Sequence, residues 1–536
     1  MSQTRMRRSR ARGGELTWVT ALFLVLLTAA LMGARPEFPA PPPGEYNFHP
    51  SPKQLASNQE ILGWIKDICA FGNRRPGTQA DRDTANYILQ KFKEFGLQDA
   101  HLEPVPVPLW TATKWSLTVN GKDAPCFYIN HSYWTGKHEG FTAGAAGIQA
   151  EMVYVGDGTD KEFKKVDVKG KIVLADVRFS NLSQKDFLRV AYFGYDPEYT
   201  VPDDWTQADP YSANNFPGNF QRAIDKGAVG FVGILVDYYD TNQYYNELYV
   251  EKPYQWPIPG LWLSRSDGAK LKASLKADAP NQAHLVLDGT VVAAEGQNVI
   301  GYLPGKSSDV VMVHSHHDAP WASAVEDASG AAEVLALAQY FGSLPPETRE
   351  KTLMFATMDT HFSMYQAHLQ EIARIRHQKM NVILDVCIEH IAKEAQIKDG
   401  KLVMTGQIEP RGIFVTENPY LLSITEQAIV RNNLERIVLL PTYTILGVVS
   451  DAGDFNRNGF TIISYISPPV YIYGPEDTID MIAVDQLNPV ATAFADIIES
   501  VNQTPSKTVQ KKSWIPKHRF HYLSAALGYI KDMIKE

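Results

Sequence analysis

Apolar and polar positions alternate along this chain in blocks that switch between two periods. Between residues 58 and 97, apolar side chains recur at helical spacing, and the polar turn Asn73-Arg74-Arg75-Pro76-Gly77-Thr78 breaks the run, so a helix, a loop and a second helix over 81–95 are predicted. Strand-like segments follow from Leu102 to Val119. Further on, uninterrupted apolar runs at 310–313, 352–357, 381–385 and 460–466 are separated by helical patterns near 329–343 and 420–432. Buried parallel strands read as continuous apolar runs because both of their faces are covered. The alternation therefore predicts an α/β fold, a mostly parallel sheet covered by helices, with chemistry at its carboxyl edge.

Between about 140 and 287 the texture changes to short strands at 153–155, 171–174 and 229–235, with a helix over 219–226. This stretch concentrates aromatic residues, among them Tyr192, Trp205, Tyr211, Tyr238, Tyr239, Tyr244, Tyr245, Trp256 and Trp262. Most are expected to pack this region against the remainder, with some over the cleft. Length supports the division, since 536 residues with 44% hydrophobic and 21% charged side chains suffice for two or three domains. A net charge of -9 supplies no basic face, so nucleic-acid binding has no support.

The amino terminus is patterned differently. Arg5, Arg7, Arg8, Arg10 and Arg12 precede an uncharged apolar run over 16–33, about 18 residues and just long enough to cross a bilayer. A single-pass anchor is expected, with residues 1–15 cytoplasmic and the main body extracytoplasmic. The competing reading is a cleaved signal peptide, for which Ala29-Ala30 and Gly33-Ala34 offer small residues. Residues 34–52 contain Pro41-Pro42-Pro43 and read as a stiff spacer. At the other end, 505–536 combine a basic stretch with an apolar stripe of Phe520, Leu523, Leu527, Ile530 and Ile534. That helix is expected to dock on the body, with homodimer pairing and membrane contact as the other readings.

Cys69, Cys126 and Cys387 allow at most one internal bridge, and Cys387 sits in an apolar run where a buried thiol is the default. Asn130-His131-Ser132, Asn181-Leu182-Ser183 and Asn502-Gln503-Thr504 match the glycosylation acceptor pattern.

Chemistry concentrates where the strand at 310–313 ends in His314-Ser315-His316-His317-Asp318, followed by Glu326-Asp327-Ala328-Ser329-Gly330 opening a helix. Nitrogen and carboxylate donors gathered at a strand end suit a divalent metal such as zinc, although a hydrogen-bonded loop is the bland alternative. Asp385 closes a second apolar run, so His316, Asp327 and Asp385 would supply one nitrogen and two oxygen ligands and leave a position open for water. His314 lies on the face of His316 if the strand continues that far, and His317 points away.

With these motifs and the segments Ser450-Asp451-Ala452-Gly453-Asp454-Phe455 and Tyr473-Gly474-Pro475-Glu476-Asp477-Thr478, the chain resembles the zinc aminopeptidase and glutamate carboxypeptidase family, whose relatives include the transferrin receptor. The resemblance runs from about Ser51 to Asn502. It implies a peptidase domain split into 53–139 and 288–504 around a protease-associated insertion at 140–287. It also makes His316 and Asp385 ligands of one zinc, Asp318 the carboxylate that orients His316, and Asp327 the bridge to a second zinc. That second site departs from the family. Where the family has paired glutamates, one a general base and one a ligand, this chain has His361 and Phe362, and where it has a ligating His this chain has Tyr473. Phe362 offers no lone pair, so the second position is expected to be empty unless His314, His317, His361 or Glu389 compensates. His361 is read as a replacement base, as a ligand, or as an inert remnant. The expected function is an anchored hydrolase of peptide or amide bonds using one zinc; the alternative is an inactive peptidase-fold ectodomain with a binding or structural role.

Overall fold

The computed structural model describes residues 49–512 apart from 138, 143, 145, 247–255 and 444–446. The apolar run at 16–33 and the carboxyl-terminal stripe lie outside these residues. Among the described residues no helix is long and apolar enough to cross a membrane.

The first helix, Asn58–Ala70, is capped by the Ser57 hydroxyl accepting from Glu60 N, and its inward face consists of Ile61, Leu62, Trp64, Ile65 and Ile68. The second, Gln79–Glu94, starts two residues before the expected 81 because Thr78 supplies the cap. Each predicted run of the central region forms the expected element: strands Ser307–His316, Lys351–Met358, Val382–Ile388 and Ile462–Ile466, and helices Gly330–Ser343 and Pro419–Arg431. Strand Ser307–His316 runs parallel to both Lys351–Met358 and Val382–Ile388, and the latter runs parallel to Ile462–Ile466. All four carboxyl ends therefore reach one edge of the sheet. Every residue of Val382–Ile388 is buried, as a strand covered on both faces requires.

Helix Gly330–Ser343 packs with Asn58–Ala70 and Leu487–Gln503, and it is apolar nearly all round, from Ala331 through Ala338. Such a helix belongs inside a core rather than on its surface.

The sheet continues through one long strand, Asn281–Leu303. Residues near its end pair antiparallel with Lys351–Met358, and those near its start pair antiparallel with Ile148–Tyr154. From there Ile172–Val177, Gly230–Leu235 and Gly260–Leu263 add parallel neighbours. Strand Gln98–Val119 lies antiparallel along almost the whole of Asn281–Leu303. Of the aromatic residues in this region, Trp205, Tyr238, Tyr244, Tyr245, Trp256 and Trp262 are buried, whereas Tyr199 is exposed. The three cysteines are free, with Cys387 buried. Asn130 and Asn502 are buried too, which withdraws two of the three acceptor patterns from solvent.

Candidate metal and catalytic centre

The carboxyl edge of the parallel strands gathers the charged groups. Strand Ser307–His316 delivers His316 and, just beyond it, His317 and Asp318; Lys351–Met358 leads into the turn His361–Ser363; Val382–Ile388 is followed by Glu389 and His390. The loop after Ser307–His316 returns to the edge at Glu326 and Asp327. All of these side chains are buried.

At the centre lies Glu326, with three imidazole nitrogens around it. His390 Nε2 is 2.8 Å from its Oε2, while His316 Nε2 and His361 Nε2 lie 3.1 Å and 3.6 Å from its Oε1. The opposite nitrogen of each ring is tied down. His316 Nδ1 donates to Asp318 O at 3.0 Å, with Asp318 Oδ1 at 3.3 Å. His390 Nδ1 donates to Ser467 O at 2.9 Å, and His361 Nδ1 donates to Asp451 Oδ1 at 2.8 Å. An imidazole whose Nδ1–H is committed presents Nε2 as its ligating or basic atom. Rings of His316 and His361 stack 4.1 Å apart. Glu389 is close by: His316, Glu389 and His390 each bring one ligand atom within 4.8 Å of the others.

Electrostatics follow from this crowding. Burial alone would raise the Glu326 carboxyl, but His390 and His316 outweigh it and hold the group below its ordinary range. Burial likewise opposes protonation of His390, yet Glu326 prevails and pushes it up to about 9. Glu389 is pushed up to about 8 by burial, with Asp451 adding to the effect. Asp451 stays well below its usual value because His368, His361 and His316 together overcome its burial. Its second oxygen meets His368 Nε2 at 2.9 Å, so one carboxylate joins two imidazoles.

Of the residues singled out in the sequence, the structure brings His316, Asp318 and His361 to this centre, with Asp318 also accepting from Phe362 N at 2.9 Å. Asp327 borders the centre with its oxygens engaged by other groups, and Asp385 stands elsewhere. Asp327 accepts from the Ser315 hydroxyl, from Gly330 N at 3.1 Å and from His390 N at 3.2 Å, so its oxygens hold the sheet edge together. Asp385 lies mid-strand opposite Met312 and takes His314 Nε2 at 2.9 Å. The displacement has a simple cause. The apolar run in the sequence stops at Asp385, but the strand continues through Val386, Cys387 and Ile388, which moves the edge position to Glu389. In the acidic pair, the side chain facing the imidazoles is the first member, Glu326, and not the second.

Phe362 packs edge-on against Tyr245 and Tyr473, with ring centroids 5.4 Å and 5.8 Å away. Tyr211 donates to Ser467 O at 2.7 Å beside His390. Aromatic side chains from 140–287 thus border the centre.

Two clamps fix the loop carrying Glu326. Buried Arg74 donates to His317 O, Ala322 O and Ser323 O, each at 2.9 Å, and lies 3.4 Å from Glu326 O. From the other side Asp477 accepts from Val325 N at 2.8 Å and Glu326 N at 2.9 Å. Neither role is visible in the sequence, because a Pro-Gly turn holding an arginine that the fold buries has no period to read.

Comparison with known proteins agrees with this architecture. Residues 298–360 match the model of peptidase family M28. A structure of a peptidase M28 precursor from Shewanella amazonensis SB2B superposes with a TM-score of 0.62 at 17% identity, covering 84% of this chain and 95% of that one. BSAP, a zinc aminopeptidase from Bacillus subtilis, gives 0.58 at 16% identity over 83% and 95%. An aminopeptidase from Aneurinibacillus sp. strain AM-1 gives 0.55 at 18% identity over 84% and 95%. No curated protein matches the chain in sequence. The fold is that of the zinc aminopeptidases. In sequence the similarity is to peptidase family M28 over residues 298–360, in keeping with the resemblance read from the chain.

Proposed function

We propose that this protein is a zinc-dependent hydrolase of peptide or amide bonds that works with one metal at this centre. The observation carrying the reading is the convergence of three imidazole Nε2 atoms on the Glu326 carboxylate, each ring held through its Nδ1. His316 Nε2, His390 Nε2 and both Glu326 oxygens are buried without a hydrogen bond, which is the donor set a divalent cation requires. His316, Glu326 and His390 would hold the ion, with Glu389 the adjoining carboxylate. When bound, zinc supplies Lewis acidity toward a carbonyl and lowers the pKa of water.

The chain's own groups do the remainder. His361 serves as the base through Nε2, and Asp451 holds its Nδ1 proton and stabilises the ring once protonated. Asp318 keeps His316 in its ligating tautomer. Phe362, Tyr245 and Tyr473 fill the neighbouring space with rings, which argues against a second ion there. The same reading keeps 140–287 as a protease-associated insertion whose aromatic residues border the cleft, and 16–33 as a membrane anchor that leaves the body extracytoplasmic.

The test is metal content and hydrolysis together. Full-length protein is expected to lose one zinc in His316→Ala, and to cleave members of a peptide library at a rate that falls by about 10²-fold or more in His361→Ala. Zinc-loaded wild-type protein that cleaves nothing would move the conclusion to a binding ectodomain. Undiminished cleavage in His361→Ala would remove that residue from the chemistry. Protease protection of tagged termini in intact membranes tests the anchor.

A further inference from the structure

A second group of ligand atoms lies behind the centre, on the side of the strand end to which His317 turns. Asp81 comes from the first turn of helix Gln79–Glu94, His317 follows strand Ser307–His316, and Asp359 follows strand Lys351–Met358. All three are fully buried. One oxygen of each carboxylate and one imidazole nitrogen lie within 4.8 Å of one another, and His317 Nε2 is 3.8 Å from Asp81 Oδ1. Two ligands on a zinc at roughly 2.0–2.2 Å are at most about 4 Å apart, so this pair already has the separation that one ion imposes.

The remaining atoms are occupied in the way metal ligands usually are. His317 Nδ1 meets Thr357 Oγ1 at 3.0 Å, Asp81 Oδ2 accepts from Gly77 N at 2.9 Å, and Asp359 accepts at both oxygens, Oδ2 from Gln297 N and Oδ1 from Thr360 N, each at 2.5 Å, so it would ligate through a second lone pair. Asp81 Oδ1 and His317 Nε2 are left buried with no hydrogen bond, and they point into the same space. No lysine or arginine pairs with either carboxylate among the described residues. Two buried acids beside one imidazole therefore lack a counter-charge, and an acid pair in that state either shares a proton or takes up a cation.

We propose that Asp81, His317 and Asp359 form a second, structural divalent-cation site, with zinc as the fitting ion, that ties helix Gln79–Glu94 to the ends of two central strands. One nitrogen and two carboxylate oxygens suit zinc better than magnesium or calcium, which favour all-oxygen shells. This site shares no ligand with the centre at Glu326, and it stands whether or not that centre is catalytic.

The test uses the full chain and zinc alone. A His316→Ala/His390→Ala double variant, equilibrated with zinc and dialysed, is expected to retain one ion per chain by mass-spectrometric metal analysis. Adding Asp81→Asn, or Asp359→Asn, is expected to remove it and to abolish a zinc-dependent rise in melting temperature of about 2–3 °C. A double variant with no zinc, or with zinc that survives both Asn substitutions, overturns the proposal and leaves a proton-sharing acid pair. Should the Asn variants fail to fold, anomalous diffraction from zinc-grown crystals of the double variant decides. A peak beside His317 Nε2 supports the site, and its absence refutes it. If zinc is instead lost from wild-type protein only through His316→Ala, this proposal fails while the reading of the Glu326 centre stands.

Discussion

Arg74→Met puts the loop that carries Glu326 under direct test. The guanidinium is fully buried and donates to three carbonyls at 2.9 Å, those of His317, Ala322 and Ser323. Methionine keeps much of the apolar stem but donates nothing, so the buried carbonyls of His317 and Ser323 and the partly buried one of Ala322 lose their partner. Each buried acceptor left unsatisfied costs about 1–3 kcal/mol. Part of that is offset, because the variant no longer buries a cation whose charged form burial disfavours. The net loss is set at about 3–5 kcal/mol, in the range seen when one partner of a buried charged network is removed.

Equilibrium denaturation in urea, followed by circular dichroism, measures this directly. Arg75→Met, one residue along and only partly buried, serves as the control and is expected to change stability by less than about 1 kcal/mol. Zinc retention should fall in Arg74→Met as well, because the loop positions Glu326. A loss below about 1 kcal/mol for Arg74→Met would mean that the loop holds its shape without the guanidinium, and the argument from the three carbonyls would be wrong.

Three further outcomes follow from the same geometry. On the proposed mechanism Asp451→Asn is expected to retain zinc while kcat drops by about 10²-fold or more and KM changes little, since the carboxylate would act by orienting His361; activity within twofold of wild type would dismiss that role. Gly330→Ala is expected to destabilise by about 1–3 kcal/mol despite the better helix former, because the added Cβ collides with Ile388 O, the Asp327 carboxylate and the Ser315 hydroxyl; a gain in stability on urea titration would contradict this. Glu333 is buried in helix Gly330–Ser343 with its pKa raised well above normal by burial alone, so the unfolded chain releases its proton at lower pH than the folded one. Stability from this group is therefore fully present below the unfolded value near 4.5 and is lost as pH rises from there toward the folded value, by up to about 1.4 kcal/mol per pH unit. Glu333→Gln should flatten that slope between pH 5 and 7, and identical urea midpoints for the two proteins across this range would refute the assignment.

The central sheet was legible because its strands are buried on both faces. Runs such as Val310 to Val313 have no polar interruption, and helical patterns separate them in the order a parallel sheet needs. Ends were harder to read. His314 and His316 continue the strand that the apolar run opens, and Asp385 sits inside a strand because His314 neutralises it across the sheet. A polar residue paired with a neighbouring strand looks like a terminus when the partner is unknown. His368 shows the same limit, since its bond to Asp451 joins a helix to a loop 83 residues away.

His361 and Phe362 stand where the family resemblance implies two glutamates, and the charges around them give this a compensating logic. Glu326, Glu389, Asp318 and Asp451 are four buried acids within one small region, and a further carboxylate at position 361 would have faced Glu326 Oε1 at close range. Like charges that close cannot both stay ionised in a buried site. An imidazole there reverses the sign of the interaction and gives Asp451 a partner, and the apolar ring of Phe362 closes the adjoining space against Tyr245 and Tyr473. On the proposed reading the two residues act as a pair: His361 is a base that Asp451 orients, and Phe362 offers no ligand to a second ion. Restoring glutamate at position 362 alone would place an acid among aromatic rings with no cation to meet it, so the single change Phe362→Glu cannot by itself rebuild a two-metal centre.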